Sequence, residues 1–510
     1  MRLTLIDTTG IQAYVFGSNR LREILGASHL VDSATGKWIN ECAQSNGNIN
    51  DGAACETVYC GGGNALLIFK DKASEESFIR VYSRKVLCDA PGLKIAIESI
   101  DFDWSKDAIG GKGNKLQELQ QKMQKAKQSL PATNPLLGLS VTTQCRSTGL
   151  PANRIARVAG EDFPASHETL AKLDASHNAK ERLNKLVPPG EIYHYPDDLD
   201  DLGRSHGEHS FIGIVHADGD GMGKRVKAVI ENHSYSEASS NRAFIKKLSD
   251  FSTKLEKAAT NALQKTINKL IGAIDGDEIK DEDISIKLKE ETILPFRPIV
   301  FGGDDVTFVC DGRLGVSLAV EYMKEFEQET DTLMKEYEGK ATACSGIALV
   351  KSHFPFSRAY ELAEDLCKNA KNYKKKESLS SSCLDWHFAG SGLNSSLSVL
   401  RNREYQTAHG SLTLRPLSLN RSQPSWETVL NGIFAFRGEG WHGRRNKLKT
   451  LREVLRAGPD AVQEFITHYN ENAPLPEIDP SISSWKTSGW HGHQCGYYDA
   501  IEMVDWHVNL

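Results

Sequence analysis

Residues 297–310 read RPIVFGGDDVTFVC, which is two apolar runs joined by Gly-Gly-Asp-Asp. Apolar runs on both sides of a glycine turn predict a β-hairpin, and this turn carries Asp304 and Asp305. Another apolar run, FIGIVHAD at 211–218, also ends in an aspartate and continues as Gly-Asp-Gly. If these strands are neighbours in one sheet, their acidic side chains meet at its end. The stretch therefore predicts an acidic site on a β-sheet.

A weaker copy of this arrangement precedes it in the chain. The first copy has the strand LTLID (3–7) and the hairpin-like TVYCGGGNALLIF (57–69), followed by LKIAIESI (93–100). The last of these strands has a counterpart after the second hairpin, ACSGIALV (343–350). Helical patterns lie between the strands of both copies. This alternation predicts an α+β fold in which one unit is built twice.

We expect four regions along the chain. Residues 1–100 hold the first copy, 101–205 connect the copies, 206–377 hold the second copy, and 378–510 form a mostly helical C-terminal region after a serine-rich turn. The acidic stretch 274–292 is expected to be a solvated loop, because charge runs usually face solvent; metal binding is the alternative.

Composition is that of an ordinary globular protein. The chain has 510 residues, 39 % of them hydrophobic and 25 % charged, and its net charge of −6 gives no general attraction to nucleic acid. No run reaches the roughly 18 apolar residues of a membrane span, and the N-terminus has no signal-peptide pattern. We therefore expect a cytoplasmic protein without a membrane partner. Ten scattered cysteines without a Cys-x-x-Cys pair predict reduced thiols.

Four acids of the second copy suggest a chemistry. Carboxylates packed together without a cation repel one another, so Asp218, Asp220, Asp304 and Asp305 predict a site for Mg²⁺ or Mn²⁺. Mg²⁺ commonly binds substrate phosphates, which favours a nucleoside triphosphate such as ATP. Two ions could activate a ribose 3′ hydroxyl and stabilise the leaving pyrophosphate. An ordinary hairpin turn is the alternative for an isolated Gly-Gly-Asp-Asp. The glycines expected to let backbone approach the nucleotide are Gly219, Gly221, Gly302 and Gly303.

Taken in order, these motifs resemble a known family. The segments HADGDGMGK (216–224), FGGDDVTFVC (301–310) and CSGIALVKSHFPFSRAYELAEDLCKNAK (344–371) are similar to the active palm in the large subunit of type III CRISPR effector complexes. Diguanylate cyclases share this cyclase/polymerase palm. The opening GIQAYVFGSNRLREILGASHLV (10–31) is similar to the start of the first palm of that subunit. The resemblance implies two ferredoxin-like palm domains, the second one active.

The resemblance also implies a function. Members of the family make cyclic oligoadenylate second messengers from ATP in prokaryotic antiviral defence. Carried over by position, Asp218 and Asp304 are the principal metal ligands and Asp305 and Asp220 assist, with Asp218, Asp304 and Asp305 as the catalytic residues. Two alternatives stay open: a silent scaffold or RNA-binding subunit that only binds nucleotide, and a cyclic dinucleotide synthase that uses GTP or mixed nucleotides.

A lysine-rich helix follows the last strand of the second copy. The apolar residues of the helix 361–371 recur at a spacing of four, which leaves Lys371, with Lys374 and Lys375 beyond it, free to approach a triphosphate. In related cyclases a lysine at the position of Lys371 contacts phosphate. A solvated basic helix end is the alternative.

The first copy lacks most of the acids. Asp7 matches Asp218, but Thr9 stands in place of Asp220, and Gly63 and Asn64 stand in place of Asp304 and Asp305. This half cannot hold two metal ions, so the resemblance implies that it binds a second nucleotide. The residues expected there are Gly62, Gly63 and Ser28, although Ser28 could also be a plain helix-boundary serine.

Several features depart from the family. The chain begins directly with the first palm, so we expect neither the N-terminal nuclease domain nor cleavage of single-stranded DNA. The four-cysteine zinc module is reduced to a remnant, with Cys145 kept and Thr148 in place of a second ligand. The protein could therefore act within an RNA-guided complex or through self-association.

Two further patterns have ordinary explanations. The basic stretch 441–456 predicts an amphipathic helix with a solvated face, and phosphate-backbone binding is the alternative. The histidines of WHGHQC (490–495) are too isolated to predict zinc, and the absence of a GxxxxGK[ST] loop argues against a P-loop ATPase.

Overall fold

The structure is a computed structural model. It describes residues 1–43, 46–129, 141–158, 160–202, 211–282, 284–337, 339–390, 396–420, 425–469 and 473–510. Part of the expected connecting region, including 131–140, lies outside the described residues.

The N-terminal unit alternates strands and helices as expected. Its elements are β1 (Arg2–Thr9), α1 (Ile11–Phe16), α2 (Leu21–Thr35), α3 (Lys37–Cys42), β2 (Cys55–Gly61), β3 (Asn64–Phe69), α4 (Lys72–Asp89) and β4 (Lys94–Asp101). The strands form an antiparallel sheet in the order β2-β3-β1-β4. The next segment adds α5 (Lys115–Ser129), β5 (Arg154–Val158), β6 (Glu161–Ala165) and α6 (His167–Leu186).

The second unit repeats this order with insertions. Its elements are β7 (Phe211–Gly219), α7 (Met222–Ile230), α8 (Asn241–Gly272), β8 (Ile274–Asp275), β9 (Glu278–Asp281), β10 (Ile284–Lys287), β11 (Phe296–Gly302), β12 (Asp305–Asp311), α9 (Gly315–Leu333), β13 (Ala343–Lys351) and α10 (Phe356–Lys376). Its sheet begins in the order β11-β12-β7-β13, which matches β2-β3-β1-β4 position by position. The expected α+β unit built twice is confirmed.

The C-terminal region is mostly helical, as expected. Its elements are β14 (Cys383–Ala389), α11 (Leu397–Tyr405), β15 (Gln406–Thr407), β16 (Gly410–Ser411), β17 (Leu417–Ser418), α12 (Trp426–Arg437), α13 (Arg445–Ala457), α14 (Pro459–His468), α15 (Ser484–Ser488), β18 (Trp490–His491), β19 (Gln494–Cys495) and α16 (Tyr498–Met503). Strand β14 pairs in parallel with β13, and β17 follows it, so the second sheet has six strands and extends beyond residue 377.

The acidic stretch 274–292 differs from expectation. It is not simply a loop, because β8, β9 and β10 form a small antiparallel sheet within it. Ile279, Ile284 and Ile286 are buried, and polar residues alternate with them along the strands. This period of two is a strand pattern, which the high charge of the stretch concealed.

The two units pack against each other reciprocally. Helix α2 of the first unit lies on β11 of the second, and α8 of the second lies on β2 of the first. At the same junction the rings of Phe16 and Tyr360 stack with their centroids 3.7 Å apart. The central strands are apolar on both faces because helices cover both sides of each sheet. Within the described part of the chain, no helix is both long and apolar enough to cross a bilayer.

Candidate active site

The register of the second sheet brings the two acidic segments together. Strands β7 and β12 pair so that Asp218 lies opposite Asp305. The Gly219 amide donates a hydrogen bond of 3.0 Å to the carbonyl oxygen of Asp304. A Cβ at Gly219 would lie 2.7 Å from the Cβ of Asp304, so only glycine permits this approach. Acids far apart in the sequence therefore meet at one end of the sheet.

Three side chains at this point could share a cation. One ligand atom each from His216, Asp218 and Asp305 lies within 4.8 Å of the others. Among the described residues, this is the single group of three or more histidine, cysteine or acidic side chains with that geometry. Asp304 and Asp220 lie outside the group, although Asp304 is in the adjoining turn. Oxygen-rich sites of this kind suit divalent cations such as Mg²⁺ and Mn²⁺.

The carboxyl groups affect one another electrostatically. Burial, with the charge of Asp218, raises the pKa of Asp304 to about 6. The side chain of Asp305 is exposed at the cavity, although the surrounding protein still displaces part of its solvent. This desolvation, together with Asp218 and Asp304, raises the pKa of Asp305 well above its ordinary value. A bound cation would stabilise these carboxyl groups in their charged form.

Two lysines of α10 supply part of the missing positive charge. Lys371 forms an ion pair with Asp218, whose hydrogen bond and charge raise the pKa of Lys371 against the lowering effect of burial. Lys374 is buried and lies 2.9 Å from Asp220. Lys375 is exposed on the same helix. Sequence reasoning expected all three near the site, and the structure brings Lys371 and Lys374 into contact with its acids.

A cavity of about 450 Å³ lies between the two units and reaches the acidic turn. Its walls include both glycine turns, Gly302 to Asp305 on one side and Gly61 to Asn64 on the other, together with α2 and α8. The predicted residues Gly302, Gly303, Gly62, Gly63 and Ser28 all line this cavity. The predicted Gly219, the last residue of β7, and Gly221, which precedes α7, are not among its lining residues.

Ser28 does not lie at a helix boundary. It sits inside α2, and its hydroxyl donates a hydrogen bond of 2.8 Å to the carbonyl oxygen of Ile299 on β11. The boundary alternative is therefore wrong, because the serine links the two units across the cavity wall.

The first unit reproduces the geometry without the acids. Asp7 lies opposite Asn64 in the register, as Asp218 lies opposite Asp305. The Thr8 amide donates to the carbonyl oxygen of Gly63 at 2.9 Å, which matches the bond from Gly219 to Asp304. The alignment of the two copies made from the sequence is confirmed.

Sequence reasoning missed three side chains of the site. His216 interrupts the apolar run FIGIVHAD, and that interruption was a usable signal. Arg182 of α6 reaches the cavity, where it pairs with Asp32 at 2.7 Å. Glu256 of α8 also lines the cavity. Nothing in the local pattern marks Arg182 or Glu256, because only the packing of distant helices brings them to the cavity.

Other predicted patterns lie away from the cavity. On the basic helix α13, Arg445 pairs with Asp505, and Arg452 and Arg456 both donate to the hydroxyl of Tyr498. In the zinc-module remnant, the Cys145 thiol lies 3.2 Å from the hydroxyl of Thr169. These contacts favour structural roles for both segments.

The two histidines of 490–495 contact different residues of the chain. The His491 ring lies 3.0 Å from the hydroxyl of Ser484, and the His493 ring lies 3.1 Å from the carbonyl oxygen of His409.

The second unit is similar to a known family. Residues 211–380 match the family model described as Cas10/Cmr2, second palm domain. A comparison with curated proteins finds no match.

Solved structures share the fold over nearly the whole chain. A Csm1–Csm4 cassette in complex with pppApApA matches with a TM-score of 0.56 at 14 % identity, covering 99 % of this chain and 69 % of that one. The cassette in complex with cA4 matches with a TM-score of 0.53 at 13 % identity, covering 99 % and 68 %. Csm1 of T. onnurineus matches with a TM-score of 0.54 at 14 % identity, also covering 99 % and 68 %. Residues 211–380 are thus similar to the second palm domain of Cas10/Cmr2, and the chain as a whole shares the fold of the Csm1 structures.

Proposed function

We propose that this protein is a metal-dependent nucleotidyltransferase that joins ATP molecules into cyclic oligoadenylates for antiviral defence. One observation carries the proposal: Asp218 lies opposite Asp305 on neighbouring strands, and Asp304 and Asp305 line a cavity between the two palms. The matched Csm1–Csm4 structures contain pppApApA and cA4, a linear and a cyclic adenylate, which supports the same reaction here.

Asp218, Asp304 and Asp305 would hold Mg²⁺ or Mn²⁺, with Asp220 assisting. The donor set fits these ions because it is rich in carboxylate oxygens. The raised pKa values of Asp304 and Asp305, caused first by burial and then by the neighbouring carboxylates, support the same assignment. When bound, such ions make a ribose hydroxyl more acidic and neutralise charge on the phosphates.

The remaining predicted residues would position the nucleotides. Backbone at Gly302 and Gly303, with Gly219 and Gly221 behind it, leaves room for a triphosphate close to the acids. Lys371 would leave Asp218 for the phosphates, with Lys375 further along the helix. Across the cavity, Gly62, Gly63 and Ser28 would contact the second nucleotide.

This arrangement acts mainly by positioning. The two glycine turns face one cavity, so the 3′ oxygen of one ATP can be held against the α-phosphorus of the other. A new phosphodiester bond forms at that phosphorus, pyrophosphate leaves, and the hydroxyl proton passes to solvent or a carboxylate. Repetition followed by closure of the ends gives a ring.

The test is direct. Purified protein is incubated with ATP and Mn²⁺ or Mg²⁺, with and without candidate RNA activators, and its products are separated by mass spectrometry. We expect cyclic oligoadenylates from the wild type and none from Asp304→Ala/Asp305→Ala. The matched control is Asn64→Ala, at the equivalent turn of the first palm. Equal products from the wild type and the double variant would disprove the assignment.

We also propose the four-region division 1–100, 101–205, 206–377 and 378–510, in which β14 and β17 of the last region complete the sheet of the second unit. We further propose a place for the chain in an RNA-guided complex. The matched structures include Csm1 bound to Csm4, which supports a protein partner of that kind. Self-association is the competing arrangement. Size-exclusion chromatography with light scattering on the purified chain distinguishes a monomer awaiting partners from a homo-oligomer.

A further inference from the structure

The two palms also differ at a buried position on the central strand, where neither palm has an acidic residue. Two residues before the strand-end aspartate, the first palm has Leu5, paired across strands with Leu66. At the same place the second palm has His216, paired with Thr307. Two leucines of the first palm thus correspond to a histidine and a threonine in the second.

Apolar side chains of similar shape can replace a buried hydrogen-bonded pair with little or no loss of stability, so the presence of this pair calls for a reason. His216 and Thr307 are 6 % and 1 % exposed. The Nδ1 atom of His216 lies 3.2 Å from the Thr307 hydroxyl, which orients the ring. Leucines at both positions of the first palm show that the sheet itself needs no polar group here. Departures from an apolar core pattern are expected at functional sites.

The ring is next to the acids of the centre. His216 belongs with Asp218 and Asp305 to the group of ligand atoms that lie within 4.8 Å of one another. Side chains on a strand alternate between faces, so His216 and Asp218 share the face that α10 covers. The Tyr360 ring of α10 stands edge-on at 5.6 Å. A nitrogen donor is therefore held beside two carboxylates.

An imidazole changes which metal such a centre prefers. Mg²⁺ is bound by oxygen ligands and retains several waters, whereas imidazole suits softer transition metals. Affinity for nitrogen ligands rises from Mn²⁺ to Co²⁺ and beyond in the divalent series. A centre with two carboxylates and one imidazole should favour those ions over Mg²⁺, relative to a centre with carboxylates alone.

We propose that His216 is a nitrogen ligand of the metal centre in the second palm and gives it a preference for Mn²⁺ and Co²⁺ over Mg²⁺. This inference rests on the proposed metal site and adds to it the class of metal. Thr307 is a positioning residue, since its hydroxyl lies against Nδ1 of the ring and orients it.

The first test uses the unmodified protein. Mn²⁺ alone is added to wild type grown with natural-abundance or ¹⁵N-labelled histidine, and pulsed electron paramagnetic resonance is recorded on the bound ion. We expect a nitrogen coupling that changes from the ¹⁴N to the ¹⁵N pattern with the label. Bound Mn²⁺ without a histidine coupling would overturn the inference, and absence of bound Mn²⁺ would overturn it together with the metal centre.

The second test measures selectivity. Affinities for Co²⁺ and Mg²⁺ are compared by calorimetry in wild type, His216→Leu and His216→Asn, with folding checked by circular dichroism. We expect the Co²⁺ to Mg²⁺ affinity ratio to fall at least about 10-fold in both variants. Thr307→Val keeps the ring and should lower the ratio less. An unchanged ratio in folded His216→Asn would contradict the inference.

Failure of the two proposals can be told apart. If wild type makes no cyclic product from ATP with any of these metals, the proposed function fails, whatever the nitrogen coupling shows. If product forms but bound Mn²⁺ has no histidine coupling, only the role of His216 fails.

Discussion

The two palms have the same scaffold and differ in a few side chains. Both sheets have the same strand order, and both have a bulge at the same place, after Thr57 in the first and after Pro298 in the second. In both, a lysine from the helix after the fourth strand reaches the strand-end aspartate, Lys127 to Asp7 and Lys371 to Asp218. The comparison teaches that one scaffold can present two different sets of turn residues, and we expect the chemistry to follow those residues and not the fold.

The turns also differ in backbone conformation at one residue. Gly61 and Gly62 have φ values of 137° and 60°, close to the 142° and 66° of Gly302 and Gly303. The third residue, Gly63, has a φ of 86°, whereas Asp304 in the second palm is not among the residues with positive φ. The first palm has thus lost both the acids and the backbone geometry that accommodates an aspartate at this place.

The largest expected difference in activity is between substitutions of the two strand-end aspartates, Asp218 and Asp7. Asp218→Asn should reduce cyclic product formation at least about 100-fold, because it removes a ligand and a charge from the proposed centre. Asp7→Asn should change the rate less than about 3-fold, since the first palm has no other acid at its turn. Initial rates with ATP and Mn²⁺ measure both. Equal losses would show that the palms share the chemistry.

A smaller effect is expected at the two lysines. Lys371→Ala should lower activity about 10-fold, mainly through a weaker affinity for ATP, because an ammonium next to the acids is lost. Lys127→Ala is the matched control in the first palm and should have little effect, since partly exposed ion pairs contribute little. Steady-state kinetics over a range of ATP concentrations distinguish KM from kcat. A loss confined to kcat in Lys371→Ala would contradict a phosphate-binding role.

Without metal, the wild-type protein should be less stable than the Asp304→Asn variant, whose side chain at this position is uncharged. The pKa of Asp304 is raised from an ordinary 3.8 to about 6, so the folded state holds this proton more tightly than the unfolded state. The corresponding stability is present below pH 3.8 and is lost as the pH rises to about 6. Asp304→Asn should therefore raise the melting temperature at pH 7 by about 2 °C or more.

Melting curves from pH 4 to pH 8 in metal-free buffer check this expectation. The melting temperature of the wild type should fall relative to that of Asp304→Asn between pH 4 and pH 6. Added Mn²⁺ should reduce the difference between the two melting temperatures. Asn64→Ala, at the turn of the first palm, should show the same pH dependence of the melting temperature as the wild type. A difference that does not vary with pH would contradict the charge-based explanation.

The smallest effect concerns restoring an acid to the first palm. Gly63→Asp should lower the free energy of unfolding by about 1–2 kcal/mol, because a positive φ is unfavourable for a residue with a Cβ. The added Cβ would also lie 2.7 Å from the Cδ1 of Ile11. Asn64→Asp requires no such change and should be nearly neutral. Urea unfolding measures both. A stable Gly63→Asp protein would show that backbone geometry does not separate the turns.

Much of the fold and of the acidic centre could be predicted from the sequence. Apolar strands ending in acids, with glycine turns between them, are local patterns, so the alignment of Asp7 with Asp218 agreed with the observed register. The pattern of the small sheet within 274–292 was hidden by its charges. The position of Arg182 depends on how α6 packs against α2, which no local pattern reports.

The most direct test of the central claim is a count of Mn²⁺ ions bound to each palm. Electron paramagnetic resonance titration in the presence of a non-hydrolysable ATP analogue gives the number of bound ions per chain. We predict that Asp305→Ala loses tightly bound Mn²⁺ and that Asn64→Ala keeps the full wild-type number. The opposite pattern, or the same number of ions in all three proteins, would contradict the claim that the second palm alone holds the metal.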